Sequence, residues 1–250
     1  MASHQRVTAA VLIIGDEILS GRTQDTNLNF IAKFLATYGV DVAEARVAPD
    51  IKEEIIAALN ALRARYDYVI TTGGIGPTHD DITADAVARA FGVPIGEDPR
   101  AIAIMLERYA EADLTPARRR MTRIPEGADL VENTISRAPG FKIGNVFVLA
   151  GVPSVMQAML DGAVKEMRTG AVMQVETVEA GQVPEGLYGD PLGAIAQVRP
   201  AVSIGSYPSF KDGRFMNQIV VRGREGAAVA EAKAAVEAML ERIRADRKPL

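Results

Sequence analysis

The stretch Val69-Ile-Thr-Thr-Gly-Gly-Ile-Gly-Pro-Thr-His-Asp-Asp-Ile-Thr-Ala-Asp85 decides the fold class. Its apolar start predicts a buried strand of a parallel sheet over Tyr68 to Ile70. Three glycines then remove the side chains from a turn and a proline stiffens it: Gly73, Gly74, Gly76 and Pro77. Apolar residues at helical spacing predict that a helix follows: Ala84, Val87, Ala88 and Phe91.

The acidic pair after the glycine turn adds a second feature. A bare turn between a strand and a helix N-terminus presents backbone N–H groups to one point, which is typical of a phosphate cradle. Asp80 and Asp81 would repel a phosphate there unless a cation lay between them. The pattern therefore predicts a divalent metal, with Mg²⁺ as the first candidate, that bridges carboxylate and phosphate oxygens.

Two simpler interpretations of the same residues remain open. Asp and Thr are favoured N-caps, so any one of Asp80, Asp81 and Thr83 could serve only to start the helix. Glycines after a strand can also serve tight packing. Neither common phosphate motif is present, since there is no G-x-x-x-x-G-K-[ST] and Gly76 is followed by Pro-Thr-His.

Composition narrows the class of protein. The 250 residues, 48% of them hydrophobic, suffice for one large domain or for a large and a small one. The absence of cysteine excludes disulfides, thiolate catalysis and zinc–sulfur sites. A net charge of −4 argues against a general nucleic-acid binder. Because no apolar stretch approaches the ~20 residues of a membrane span, we expect a cytoplasmic protein without membrane contact.

A run of three arginines, Arg118 to Arg120, stands out against this acidic balance. It could attract an anionic ligand or partner. It could equally be the solvated face of a helix that begins at Thr115-Pro116, where a capping residue precedes a helix-starting proline.

Strands and helices alternate along the first two thirds of the chain. Apolar runs predict strands at Thr8–Ile14, Val40–Val47, Tyr68–Ile70 and Val146–Ala150. Helical spacing predicts helices at Asn27–Tyr38, after Asp50, after the glycine turn, at Ile102–Tyr109 and at Val155–Met167. The alternation predicts an α/β fold, a three-layer α/β/α sandwich with a mostly parallel sheet and right-handed crossovers. Residues 125–140 are rich in turn residues.

The pattern changes near Gly170. Short strands are predicted at 172–178, 202–206 and 217–221, with helices at 191–197 and 227–243. We therefore predict an α/β domain over residues 1–168 and a small C-terminal α+β subdomain over residues 169–250. Ser206-Tyr207-Pro208 is interpreted as a structural loop of this subdomain.

Three loops are expected at one edge of the main sheet, because ligands bind outside the carboxyl ends of parallel strands. These loops carry six acidic residues: Asp16, Glu17, Asp25, Asp50, Asp80 and Asp81. Several of them could surround a single cleft. Alternatively, Asp50 could cap its helix, Asp25 or Thr26 could cap the helix after Asn27, and Ser154 could cap a later helix.

The ordered motifs resemble one known family. Gly15-Asp-Glu-Ile-Leu-Ser-Gly21, Asp25-Thr-Asn27, Asp50 and Gly73-Gly-Ile-Gly-Pro-Thr-His-Asp-Asp-Ile-Thr83 are similar to the molybdopterin-binding domain family. The branch they most resemble is the competence/damage-inducible protein A (CinA) type. The resemblance covers residues 7–168, and the remaining tail is similar to the small subdomain of that branch.

The resemblance implies a three-layer fold in a homo-oligomer, a dimer or trimer, with a pterin or nucleotide as its small-molecule ligand. It makes Asp50 and Asp81 the expected catalytic residues, and the acidic pair Asp80 and Asp81 the expected metal ligands. The expected ligand contacts are Gly15, Asp16, Glu17, Asp25, Asn27, Gly73, Gly74, Gly76, Pro77, Thr78 and Thr83.

In the CinA-type branch this domain is associated with metal-dependent cleavage of ADP-ribose-like pyrophosphates, and we expect that chemistry here. The alternatives are a molybdopterin-binding module without catalysis and a pterin adenylyltransferase of molybdenum cofactor biosynthesis. At Ala150 and Val155 the chain departs from the branch's Pro-Gly-Val-Pro-x-Glu-Met pattern. The nicotinamide-nucleotide deamidase domain that often follows in this branch is not assigned to these residues.

Overall fold

Strand β1 (Val7–Ile14) lies inside the main sheet and is buried on both faces. Its residues alternate between two hydrophobic cores: Val7, Ala9, Val11 and Ile13 pack into one, and Ala10, Leu12 and Ile14 into the other. Because successive side chains of a strand point to opposite faces, the two cores lie on either side of the sheet. A continuous apolar run thus gives a sheet that is covered on both faces.

This computed structural model describes residues 6–211 and 214–246, and the chain divides into two units between Gly170 and Ala171. The first unit has the helices α1 (Asp16–Leu19), α2 (Asn27–Ala36), α3 (Lys52–Arg63), α4 (Thr83–Phe91), α5 (Pro99–Leu106), α6 (Pro116–Arg120) and α7 (Pro153–Ala163). Its further strands are β2 (Val40–Ala48), β3 (Tyr68–Thr72), β4 (Ile95–Glu97), β5 (Arg123–Pro125), β6 (Asp129–Val131), β7 (Gly140–Ile143) and β8 (Val146–Leu149).

The main sheet has the strand order β2-β1-β3-β8-β7-β6. β1, β2, β3 and β8 are parallel, and β7 and β6 continue the sheet in antiparallel pairs. α2 and α7 contribute to the core on one face, while α3, α4 and α5 contribute to the core on the other. The predicted α/β fold with a mostly parallel sheet between helical layers is therefore confirmed.

The structure differs from the sequence reading in the middle of the chain. The segment that appeared as turns, 125–140, contains β6 and the first residue of β7. β4 and β5 form a separate antiparallel pair that the periodicity did not indicate. Strands of three or four residues are too short to show a period, and β4 and β5 are also distant from each other in sequence.

The second unit has β9 (Gln174–Gly181), α8 (Glu185–Gln197), β10 (Val202–Lys211), β11 (Arg214–Gly223) and α9 (Gly226–Asp246). The strands form an antiparallel sheet of order β10-β11-β9, and both helices contribute to its core. The prediction that Ser206-Tyr207-Pro208 forms a loop is wrong, because all three lie in β10. Pro208 is tolerated there because β10 is an edge strand, where one side of the backbone needs no ladder partner.

Among the residues that the structure describes, no helix combines the length and the apolar character that crossing a bilayer requires.

Candidate functional site

The glycine turn follows β3 and leads into α4, as the sequence predicts. Gly73 and Gly74 are needed because the turn backbone lies in direct contact with β1 and with α4. A Cβ on Gly73 would lie 2.1 Å from the Ile14 carbonyl oxygen, and one on Gly74 would lie 2.1 Å from Thr83 Oγ1. Both residues also have positive φ angles, +102° and +68°. The packing interpretation of these glycines is therefore correct for the fold, and the turn is held rigidly between β1 and α4.

Three consecutive backbone amides suggest that the glycine turn has a second role besides packing. Within the described part of the chain, the N–H groups of Gly74, Ile75 and Gly76 have no hydrogen-bond partner. The flanking amides are occupied, since Gly73 N donates to Leu149 O and Thr83 N donates to Gly74 O. Ile75 packs against both cores and fixes the middle of the turn. A rigid set of free donors just before a helix N-terminus is the arrangement that binds an anion.

Asp81 closes the loop that follows the turn. Its carboxylate accepts hydrogen bonds from the amide of Thr78, at 2.8 Å, and from the Thr78 hydroxyl. A Cβ on Gly76 would lie 2.7 Å from the same carboxylate, which therefore lies directly against the turn. The residue at the N-cap position of α4 is Ile82, without a side-chain cap.

The capping interpretation is thus wrong for all three candidates at this helix. Asp81 binds the loop, Asp80 is exposed, and Thr83 donates its hydroxyl to the Gly73 carbonyl at 2.9 Å. This bond joins the first turn of α4 to the glycine turn, and Thr83 is fully buried there.

Asp50 and Asp16 bind each other's backbone across two loops. The Asp16 amide donates to Asp50 Oδ2 at 3.0 Å, and the Asp50 amide donates to Asp16 Oδ1 at 3.3 Å. The idea that Asp50 caps α3 is wrong, because Ile51 occupies the N-cap position without a side-chain bond. These two hydrogen bonds hold the loop after β1 against the loop after β2.

Asp50 carries an electrostatic penalty in this position. Burial raises the pKa of its carboxyl, the hydrogen bond from the Asp16 amide opposes that effect, and the charges of Asp16, Glu17 and Asp80 raise it further. Four carboxylates from three loops are therefore close enough to interact. A cation or a ligand-bound metal would relieve their mutual repulsion.

The pKa of Asp50 leads to a stability prediction. Because its folded-state pKa is raised, the stabilising contribution of Asp50 is present below its unfolded pKa of about 4 and is lost as the pH rises through the folded value. Asp50→Asn should therefore raise the Tm at pH 7.5 by about 1–3 °C, as expected for less than ~1 kcal/mol in a partly exposed group. The gain should shrink toward pH 4 in thermal melts.

Asp98→Asn is the control for this measurement. The pKa of Asp98 is lowered by hydrogen bonds from Arg100, so removal of that charge should lower the Tm at pH 7.5. A fall in Tm for Asp50→Asn at neutral pH would contradict the claim that burial and neighbouring carboxylates destabilise the charged form of Asp50.

In the Asp25-Thr-Asn27 segment, Asp25 contacts the first turn of α2, while Asn27 has a buried oxygen without a hydrogen-bond partner. Asp25 accepts from the Leu28 amide in the first turn of α2 at 3.0 Å, although the N-cap position itself belongs to Thr26, which makes no side-chain cap bond. Asn27 is 5% exposed and donates to the Gly151 carbonyl at 2.8 Å, but its Oδ1 is buried without a partner. Thr72 Oγ1 is also buried and unpartnered, and both residues line a cavity of about 70 Å³. That cavity has room and polar groups for water or for part of a ligand.

A larger cleft of about 410 Å³ opens over the glycine turn. Of the predicted site residues, those that line it are Glu17, Gly73, Gly74, Gly76, Pro77 and Asp81. Asp25 and Asn27 line the smaller cavity, which shares Glu17 and Gly151 with the cleft. Gly15, Asp16, Asp50, Thr78, Asp80 and Thr83 line neither; they support the surrounding loops or lie beside them.

The opposite wall of the cleft was not predicted. Asn133 is fully buried and holds its loop together, accepting from the amides of Ile135 and Ser136 and donating to the Ala138 carbonyl. The remaining wall is largely apolar and includes Ala150, Val152, Val155 and Met159. Both departures from the branch pattern, Ala150 and Val155, therefore lie in the cleft. Asn133 is one of the turn residues in the segment 125–140, and nothing in the local pattern indicates its burial.

A preformed metal site is a stricter test of the acidic cluster. Among the described residues, no group of three or more His, Asp or Glu side chains has the arrangement to hold an ion. The carboxylates alone therefore provide at most part of a coordination shell.

Comparison with known proteins identifies the family of the first unit. A family model described as "Probable molybdopterin binding domain" matches residues 10–169. A second model, described as "FAD synthase, middle domain", matches residues 177–247 in the second unit. The resemblance of the first unit to the molybdopterin-binding domain family is thereby confirmed. For the tail, the match is to the FAD synthase model and not to the CinA-type subdomain expected from the sequence.

Individual relatives cover different shares of the chain. A CinA-like protein of Citrifermentans bemidjiense is 44% identical over 168 residues, which make up 64% of this chain and 40% of that protein. A protein of Aeropyrum pernix is 32% identical over 256 aligned positions, 98% of this chain and 94% of its own length. The solved structure of the protein CinA from Thermoplasma acidophilum is 38% identical, with a TM-score of 0.60, and covers 66% of this chain and 98% of that one.

Proposed function

Because the chain belongs to the molybdopterin-binding domain family, we propose that its cleft binds a pterin or nucleotide pyrophosphate and cleaves it with a divalent metal, as an ADP-ribose-like pyrophosphatase would. The observation that carries the proposal is the row of free amides at Gly74, Ile75 and Gly76, next to an acidic cluster. Amides alone would indicate an anion, and carboxylates alone a cation. Their proximity favours a phosphate that arrives with a metal.

The shape of the cleft agrees with such a ligand. Its volume of about 410 Å³ is within the range of small-molecule sites. The glycine turn offers donors for phosphate on one side, and Val152, Val155 and Met159 offer an apolar surface for a planar heterocycle on the other. A phosphorylated heterocycle has these two ends.

The residues of this chain would each have a defined task. Asp81 would hold the metal while its hydrogen bonds to Thr78 keep the loop in place. Asp50, with its raised pKa, would accept a proton from the attacking water or position that water. Bound Mg²⁺ would offset the charge of the pyrophosphate and stabilise the charge that develops on the leaving oxygen.

One observation favours the non-catalytic alternative. The branch pattern has a glutamate where this cleft has Val155, and no three acidic side chains among the described residues form a metal site. A module that binds molybdopterin and releases it unchanged needs the cradle and the apolar wall, but not a complete metal shell. Adenylyl transfer to a pterin would use the same cradle with ATP.

Turnover by the purified chain separates these functions. We expect AMP to be released from ADP-ribose, or from FAD, with Mg²⁺, Mn²⁺ or Co²⁺, and expect chelation of the metal by EDTA to abolish the release. The products would be measured by chromatography. Binding of these ligands without cleavage under any of the three metals would favour the binding module. Adenylylated pterin formed from ATP would instead favour the transferase.

A further inference from the structure

The three arginines of α6 have three different environments. Arg118 donates to the Asp113 carbonyl and lies over the ring of Tyr109, 4.5 Å from its centre. Arg119 pairs with Glu97 at 2.9 Å. Arg120 turns toward the glycine turn, and its Nε donates to the Thr78 carbonyl at 3.1 Å. All three arginines are half-buried, so the solvated-face interpretation fits none of them fully, and only Arg120 is directed to the glycine turn.

Arg120 borders the proposed phosphate site. It lines a small cavity of about 20 Å³ directly beside the turn, together with Gly74, Gly76 and Asp81. Asp81 in turn also lines the main cleft. The contact with Thr78 uses the Nε–H, and among the described residues the Nη groups of Arg120 have no hydrogen-bond partner.

The neighbouring cations are already engaged. Arg123 makes two hydrogen bonds of 2.7 Å to the carboxylate of Asp85. In contrast, no carboxylate of the described residues lies within 4.0 Å of the Arg120 guanidinium. Five carboxylates surround this part of the molecule: Asp16, Glu17, Asp50, Asp80 and Asp81. A phosphate ligand needs positive charge there beyond that of a single metal ion.

We propose that Arg120 is a phosphate-binding residue beside the glycine turn: it holds the adjoining loop through Thr78 and presents its Nη groups to the oxygens of a phosphate bound at the turn. This inference rests on the proposed function and adds to it a protein cation. In the acidic cluster, the pKa of Asp80 is lowered by a hydrogen bond from the Thr78 side chain and, to a smaller extent, by the charge of Arg120. The planar guanidinium suits the task, because its paired donors match two oxygens of one phosphate. The Nε bond to Thr78 fixes the fork, so less side-chain freedom is lost on binding.

Calorimetric titration of the whole chain with ADP-ribose, AMP and adenosine, in EDTA so that ADP-ribose is not cleaved, tests the assignment. Arg120→Gln should weaken binding of ADP-ribose and AMP by about 10- to 100-fold, the scale of a lost hydrogen bond to a charged group. The affinity for adenosine, which has no phosphate, should not change. Arg120→Lys should lose less, because it keeps the charge but not the fork. Arg119→Gln, one residue away and paired with Glu97, is the matched control and should bind all three ligands normally.

Two results would overturn the assignment. Equal affinity of Arg120→Gln and the unmodified protein for ADP-ribose would show that the arginine does not touch the phosphate. An equal loss for adenosine and ADP-ribose would show that it acts only by positioning the Thr78 loop. Thermal melts of each variant would show that the fold is intact, and Arg120→Lys provides the comparison if the glutamine variant unfolds.

The result also separates this inference from the proposed function. If the unmodified protein binds ADP-ribose and Arg120→Gln binds it equally well, the assignment of Arg120 is wrong. The assignment of the glycine turn as a phosphate site is then unaffected. If the unmodified protein binds none of the three ligands, both are wrong.

Discussion

Asp81→Asn should reduce metal-dependent turnover of ADP-ribose by about 10²-fold or more, while the protein remains folded. Asparagine has the size of aspartate and can still accept the hydrogen bond from the Thr78 amide. It loses the negative charge that a hard cation requires. The loss should appear in kcat with Mg²⁺, and the Tm should change little.

Thr78→Val is the comparison that separates charge from loop geometry. This variant removes the hydroxyl that donates to Asp81 but leaves the carboxylate in place. If Asp81 holds the metal, Thr78→Val should lose far less turnover than Asp81→Asn. Similar losses in both variants would mean that Asp81 serves only to close the loop. Undiminished turnover in Asp81→Asn would remove the metal assignment.

Gly73→Ala should have the largest effect on stability of any single methyl group added at the site. The φ of +102° disfavours an L side chain, and the new Cβ would lie 2.1 Å from the Ile14 carbonyl oxygen, which belongs to the central strand β1. Backbone strain and forced movement together should cost about 2–4 kcal/mol. Thermal melts should show a fall in Tm of about 5–15 °C.

Gly127→Ala provides the matched control. Gly127 has a φ of +81°, but no atom lies within 4 Å of the position that its Cβ would occupy. Gly127→Ala should therefore lower the free energy of unfolding by only about 1 kcal/mol, through backbone strain. Equal destabilisation of the two variants would contradict the tight packing of the turn against β1.

The parts of the fold that the sequence predicted are those with a strong local signal. β1 and β3 are continuous apolar runs, and α2 and α4 carry clear helical spacing, so their positions agree closely with the prediction. β6, by contrast, has three residues and pairs antiparallel with β7 across a loop. Such a strand exists because of its partner, and the partner is not visible in the local pattern.

Helix caps were the least predictable feature of the site. Asp50 and Ser154 are good capping types, yet Ile51 and Val152 occupy the N-cap positions of α3 and α7. The Asp50 carboxylate is used instead by a loop distant in sequence, through the amide of Asp16. Capping preference is a local tendency, and a tertiary hydrogen bond of similar strength can override it.

The arginine run shows the same limit on the functional side. Adjacent residues of a helix point in different directions, so three consecutive arginines cannot share one role. From the sequence alone, the whole run could be either a solvated face or an anion-binding group. The structure divides it, with Arg119 paired to Glu97 and Arg120 directed to the Thr78 loop.

The most direct test of the central claim is a crystal structure of the chain with a non-hydrolysable ADP-ribose analogue and Mg²⁺. We expect a phosphate group of the ligand within hydrogen-bond distance, about 3 Å, of the amides of Gly74, Ile75 and Gly76, with the metal between that phosphate and Asp81. A ligand bound elsewhere, with these three amides still unpartnered, would contradict the assignment of the glycine turn as a phosphate site.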